Sequence, residues 1–132
     1  MTPSVPSAAL VASAIAKLGL ALDAIITSPY ARAFQTADIV AQHLNTQDKL
    51  VKEDRLAPGF DIQRLAKLLK AYPGAGALML VGHEPDFSEV VNELVGGRIA
   101  FKKGGMAHVR LADTSLKRAE LVCLVQPALL GL

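Results

Sequence analysis

The sequence predicts an α/β fold of three layers, a mostly parallel sheet with helices on both faces. Two observations carry that expectation. Short, continuously apolar runs, Ala24-Ile25-Ile26 and Ala77-Leu78-Met79-Leu80-Val81, alternate with longer stretches whose apolar residues recur at helical spacing. Each run ends in a turn that opens the next amphipathic stretch, the strand–helix rhythm from which parallel sheets are built. A run that is apolar at every position, such as 77–81, reads as a strand covered on both faces.

In chain order, residues 1–7 carry two prolines and two serines and read as a loop into a first helix. Leu10, Val11, Ala14, Ile15 and Leu18 recur at helical spacing, and Gly19 closes that helix. Asp23 to Thr27 is a short buried strand. Ser28 is a favoured N-cap and Pro29 suits a first helical position, so a second helix is expected from there. Ala33, Ala37, Val40, Ala41 and Leu44 mark its core face. His43 lies near its C-terminal end, where a cation complements the helix dipole.

Leu50 to Glu53 reads as a short edge strand. Asp61 is expected to cap a third helix with Ile62, Leu65, Ala66 and Leu69 facing the core, ended by Tyr72-Pro73-Gly74. Gly82-His83-Glu84-Pro85 turns the chain after the second apolar run. Asp86 and Glu89 have capping-box spacing for a helix through Val95. Beyond Gly96-Gly97 the pattern changes. Met106 to Leu111 alternates, with Ala107, Val109 and Leu111 on one side and Met106, His108 and Arg110 on the other. Glu120 to Gln126 is a last apolar strand.

Composition narrows the function classes. At 132 residues the chain fits one domain, 1–132, with a real core; 52% hydrophobic and 20% charged residues are the mix of a globular protein. A net charge of +2, from 14 basic and 12 acidic residues, lacks the basic footprint of a nucleic-acid binder. Cys123 has no second cysteine to pair with, and its apolar run suits a buried, inert thiol. The apolar stretch from Ala8 to Ile26 is broken by Ser13, Lys17, Gly19 and Asp23, so no membrane span is expected. With no basic leader at its N-terminus, the chain is expected in the cytoplasm. No clustered His, Cys or carboxylate spacing suggests a metal, and no cofactor is expected.

The chemistry concentrates in two turns. Ligands of open α/β sheets collect beyond the carboxyl ends of the strands, where Thr27–Arg32 and Val81–Pro85 would both sit. The first offers Ser28, free N–H groups at a helix start, and Arg32 one turn into the helix beside Gln35 and Thr36. The second offers His83. A lone arginine there is more often a solvated side chain, and a lone Gly-His after a strand is as often turn chemistry as function. Together a guanidinium and an imidazole suit a phosphoryl group, the arginine binding two oxygens in a fork and the histidine donating to a third. Glu84, Glu53, Asp54 and Asp61 are candidates for a general acid; spacing does not choose among them, and a cap or surface role is the commoner use of each.

Ser28-Pro29-Tyr30-Ala31-Arg32-Ala33-Phe34-Gln35-Thr36-Ala37 resembles the S-P-x-x-R-A-x-Q-T-A signature of the histidine phosphatase superfamily, the phosphoglycerate mutase-like proteins. Val81-Gly82-His83-Glu84-Pro85 resembles its second signature, a Gly-His at the end of a central strand. Thr2-Pro3-Ser4 is similar to the T-P-x-G before the family's first helix, with Val5 where glycine is usual. The lack of a large helical insertion, and Lys102-Lys103-Gly104-Gly105 before the late strands, resemble the small SixA-type phosphohistidine phosphatases.

The resemblance implies a phosphoglycerate mutase-like fold and a phosphate pocket. Arg32 would be its second arginine and His83 its second histidine, with Ser28 close by. The implied reaction is hydrolysis of a phosphate monoester or phosphoramidate through a phosphohistidine intermediate. The implied partner is a phosphorylated small molecule or a phosphohistidine protein, not nucleic acid or a membrane. Lys102 and Lys103 would attract an anionic substrate, although a solvated loop is the commoner role.

One departure is large. The R-H-G motif that carries the family's nucleophilic histidine is absent; His43, His83 and His108 are the only histidines, and none stands between Arg and Gly. The resemblance therefore implies a domain lacking the family's first, central strand. Three expectations follow: an R-H-G strand encoded upstream of Met1, a catalytically inactive pseudo-phosphatase that only binds phosphate or a phosphoprotein, or a homodimer through strand sharing.

Overall fold

The computed structural model of the chain describes residues 5–98, 106–111, 116 and 119–125. The elements are α1 (Val5–Lys17), β1 (Ala24–Thr27), α2 (Ala31–His43), β2 (Leu50–Lys52), α3 (Ile62–Lys70), β3 (Leu78–Val81), α4 (Asp86–Val95), β4 (Met106–Leu111) and β5 (Ala119–Val125).

β1 lies between β2 and β3 in a parallel sheet. Ile25 is in register with Leu50 and Met79, and Thr27 with Lys52 and Val81. Neighbouring residues of a strand point to opposite faces, so Ile25 and Ile26 seed two separate core layers. Ile25 packs with Ala8, Val11 and Ile15 of α1 and Ala37, Val40 and Ala41 of α2. Ile26 packs with Leu65 and Leu68 of α3, Val90 of α4, and Leu56 and Phe60. Both isoleucines are fully buried, each stabilising the fold by about 1.5–3 kcal/mol. The expected helix–sheet–helix layering is present.

β3 splits its side chains in the same way, Met79 and Val81 to the first layer, Leu78 and Leu80 to the second. Each of its four residues is nevertheless only half-buried, not sealed as its sequence predicts. The cause is topological: among the described residues β3 pairs only with β1.

β4 and β5 do not extend this sheet. They form a separate antiparallel pair. Even so, Met106 packs on the same layer as Met79 and Val81, and Leu116 on the same layer as Leu78 and Leu80. The two core layers thus run on from β3 to the hairpin while the hydrogen-bonded ladder between them is interrupted. A bulge between His108 and Val109 breaks the predicted alternation of β4. The Nδ1 atom of His108 is buried without a hydrogen-bond partner.

Several boundaries differ from the sequence expectation for local reasons. α1 begins at Val5, with Pro6 in the first turn, where a missing N–H breaks no helical bond. Its buried face is Ala8, Val11, Ala12 and Ile15, whereas Leu18 is exposed just past the helix end. α2 begins at Ala31 with Tyr30 at the N-cap position, not at Ser28. The Ser28 N–H donates to the Val81 carbonyl at 2.9 Å, so Ser28 still belongs to the sheet edge and Pro29 precedes the helix.

Asp61 caps α3 as expected, its Oδ1 accepting the Arg64 N–H at 2.8 Å. Leu68 joins Leu65 in the core, and Ala66 is only half-buried. The Asp86–Glu89 capping box does not form. The Glu84 carboxylate accepts the Ser88 N–H at 3.0 Å and also contacts the Ser88 hydroxyl, while Asp86 accepts the Gly59 N–H at 2.8 Å. Thr2-Pro3-Ser4, Lys102-Lys103-Gly104-Gly105 and Gln126 lie outside the described residues. No helix among the described residues is long and apolar enough to cross a membrane.

Asp23 ties the start of β1 to the start of β3. Its Oδ2 accepts the Ala77 N–H at 2.9 Å and the Gly76 N–H at 2.6 Å. These two bonds, Ala77 first, hold its carboxyl below the ordinary value of 3.8. A carboxylate lowered in the folded state contributes stability that is present above the unfolded value and lost as pH falls through the folded one. The urea midpoint is therefore expected to drop below about pH 4. In Asp23→Asn it should be lower at neutral pH and should drop less on acidification, as chemical denaturation at pH 7 and pH 3 would measure.

Candidate functional site

The register of the parallel sheet brings the two chemistry-bearing turns together. Thr27 and Val81 end their strands side by side. Ser28 follows the first and Gly82-His83 the second. The Ser28 Oγ and the His83 Nε2 lie 2.7 Å apart, joining residues 55 positions distant in sequence. Ser28 is fully buried. Its Oγ also accepts the Tyr30 N–H at 3.2 Å.

That pair of contacts bears on the direction of the Ser28–His83 bond. A hydroxyl oxygen that already accepts from Tyr30 can direct its own proton to the His83 Nε2. In the tautomer where Ser28 donates to Nε2, the imidazole proton resides on Nδ1, which has no hydrogen-bond partner among the described residues.

Gly82 makes the position of His83 feasible. A Cβ there would overlap the edge of the Phe87 ring. Phe87 itself packs on Phe60, ring centres 5.1 Å apart, within the second core layer. The backbone before His83 can lie against this aromatic pair only because residue 82 has no side chain.

Arg32 is the second residue of α2 and is exposed. It and His83, with Tyr30 and Ala31, line a shallow pocket of about 320 Å³. No carboxylate among the described residues pairs with the Arg32 guanidinium. Thr36 Oγ1 donates to the Arg32 carbonyl at 3.1 Å, a bond within the helix and not a pocket contact. At the same sheet edge, the Lys52 Nζ sits 4.5 Å from the centre of the Phe34 ring. The arrangement offers a free guanidinium, an imidazole donor and the first N–H groups of α2 to one ligand, a set suited to a tetrahedral oxyanion.

The sequence-predicted residues Arg32 and His83 are brought to one pocket, and Ser28 lies behind it as the partner of His83. The acid candidates are committed elsewhere. Glu84 caps α4 and Asp61 caps α3, while Glu53 accepts the Arg55 N–H and pairs with Arg55 at 2.9 Å. Asp54 is exposed beside Arg55. His43 is exposed in the last turn of α2. Among the described residues no three His, Cys, Asp or Glu side chains gather as a metal site requires. Tyr30 was not singled out by sequence reasoning. Its position between Ser28 and Arg32 was the available signal.

No family model matches the chain. An uncharacterised protein of Picosynechococcus sp. is 33% identical over 108 residues, a match covering 76% of this chain and 64% of that relative. The chain therefore spans under two thirds of the curated relative. Among solved structures, the protein histidine phosphatase SixA complexed with tungstate superposes with a TM-score of 0.83 at 23% identity, covering 96% of this chain and 82% of the other. The mycobacterial glucosyl-3-phosphoglycerate phosphatase superposes at 0.62 and 16% identity, covering 89% and 83%. The fold is that of the phosphoglycerate mutase-like phosphatases. Within that class its shape follows SixA more closely than the sugar-phosphate phosphatase, 0.83 against 0.62.

Gly82→Ala is expected to destabilise the protein by about 1–3 kcal/mol, the usual cost of overpacking. Trimming the obstructing ring in Gly82→Ala/Phe87→Leu should cost less than the two single changes added together. A double-mutant cycle by chemical denaturation would measure the coupling.

Proposed function

We propose that the chain is a SixA-type member of the histidine phosphatase superfamily, acting on a phosphorylated small molecule or a phosphohistidine protein. The observation that carries this reading is the convergence of Arg32 and His83 on one pocket, with His83 held through Ser28. Arg32 grips two phosphoryl oxygens in a fork, and the Nδ1–H of His83 donates to a third. Ser28 positions His83 through the Oγ–Nε2 contact. The tungstate bound by the SixA neighbour is an oxyanion of the same tetrahedral class.

Hydrolysis through a phosphohistidine needs a nucleophilic histidine in line with the departing group. Its ring nitrogen would bond to phosphorus as the P–O or P–N bond breaks, and water would then release phosphate from the histidine. We propose that this histidine lies on an R-H-G strand encoded upstream of Met1. Support comes from the interruption between β3 and β4, where two core layers continue past a half-buried strand edge. One further extended strand would complete the ladder there.

The second reading is a pseudo-phosphatase that binds phosphate or a phosphoprotein and turns nothing over. The absence of R-H-G from these 132 residues favours it. A third source of the strand is a second copy, in a homodimer that shares strands.

Phosphate or tungstate should bind the chain saturably, with affinity reduced about ten- to hundredfold in Arg32→Ala, the cost of losing a charged hydrogen-bond donor. Titration calorimetry would measure it, and equal affinity in the variant would remove Arg32 from the site. The nucleophile is tested separately. An in-frame R-H-G codon run upstream of Met1, with turnover in the extended protein, supports the enzyme. A stop codon without that motif, together with binding but no turnover, supports the pseudo-phosphatase. Dimerisation in sizing that vanishes when the upstream segment is present supports strand sharing.

A further inference from the structure

We infer that Tyr30 is a specificity wall for this pocket, selecting phosphoryl ligands whose substituent is a flat ring; the inference rests on the phosphate-pocket reading above. Tyr30 is 56% exposed, more than any other large hydrophobic side chain among the described residues, the next being 39%. A tyrosine turned outward contributes little to the core. Its location beside the pocket donors is what gives it a use.

Two contacts hold the residue in place. Its N–H donates to the Ser28 Oγ at 3.2 Å, the same oxygen that meets His83. Its ring stands nearly perpendicular to the His83 imidazole, at 71°, with ring centres 5.4 Å apart. The edge-type contact occupies only part of the ring, and the residue both lines the pocket and is exposed. As the N-cap residue of α2, with extended backbone at φ −67° and ψ 142°, Tyr30 is fixed relative to Arg32 two residues on.

The pocket composition directs the ligand's outer part to this ring. Among the described residues, the walls besides Arg32 and His83 are Tyr30 and Ala31. Ala31 supplies one methyl group, so Tyr30 is the large apolar wall among them. A phosphoryl group held by Arg32 and His83 leaves its ester or amide substituent pointing out of the shallow pocket, alongside the tyrosine. An aryl or heteroaryl substituent can stack there, whereas a small aliphatic one leaves the ring in water. The pocket is at the lower end of the size range of small-molecule sites, large enough for a phosphoryl group and one ring.

The test uses non-hydrolysable phosphonates, so no nucleophile is needed. Affinities of methylphosphonate, cyclohexylphosphonate and phenylphosphonate would be measured on the 132-residue chain by NMR titration. Phenylphosphonate should bind about three- to tenfold more tightly than the other two, the scale of one aromatic contact. Tyr30→Phe should keep that preference. Tyr30→Ala should abolish it, so that within this variant phenylphosphonate and methylphosphonate bind alike. Equal affinities in the wild-type chain, or a preference that survives Tyr30→Ala, overturn the inference and leave the anion site standing. If none of the three phosphonates binds, nor tungstate, the phosphate pocket and this inference fall together.

Discussion

The parallel pairing of β1 with β3 is the constraint on which the rest of the molecule depends. It sets Thr27 beside Val81, and the Ser28 N–H then extends the ladder by one more bond to the Val81 carbonyl. That last bond decides two things. It delays the start of α2 to Ala31, and it places the Ser28 hydroxyl against the His83 ring. The pocket is thus an extension of the sheet. Its donors are positioned by strand ends and a helix start, elements much stiffer than free loops.

The core is built outward from the same pairing. Successive residues of β1 feed opposite layers, so each isoleucine anchors a different pair of helices. The Asp23 carboxylate fastens the entrance of the sheet and the Ser28–Val81 bond its exit. Between them lie four strand residues. In a segment this short, a one-residue slip would exchange the two layers and separate Ser28 from His83. Clamps at both ends protect the register where the side-chain pattern alone, apolar at Ala24, Ile25 and Ile26 alike, specifies it weakly.

Much of this was legible in the sequence because the signals were strictly local. The apolar runs at 24–26 and 77–81 gave their strands, and Asp61 gave the start of α3. The pairing of Arg32 with His83 followed from their equivalent places after two strands. What failed to show depended on partners far along the chain. Ser28 has the chemistry of an N-cap, but a carbonyl at Val81 competes for its backbone and wins. Asp86 and Glu89 have capping-box spacing, yet Glu84 reaches the Ser88 N–H and Asp86 is drawn to Gly59. The separation of β4–β5 from the main sheet has no local signature. An apolar run reports that a strand will be covered, and says nothing of which strand lies beside it.

The 55-residue span bridged by Ser28 and His83 also bears on how the protein acquires its ligand site. A parallel pair cannot form as a local hairpin; the intervening helices and β2 must be threaded before β1 meets β3. No partly folded form that lacks this pairing can present Arg32 and His83 to one oxyanion. A ligand held by both residues would be a ligand of the completed sheet alone, and by mass action would draw the folding equilibrium toward that sheet. Ligand capture and acquisition of the native topology would then form a single linked equilibrium.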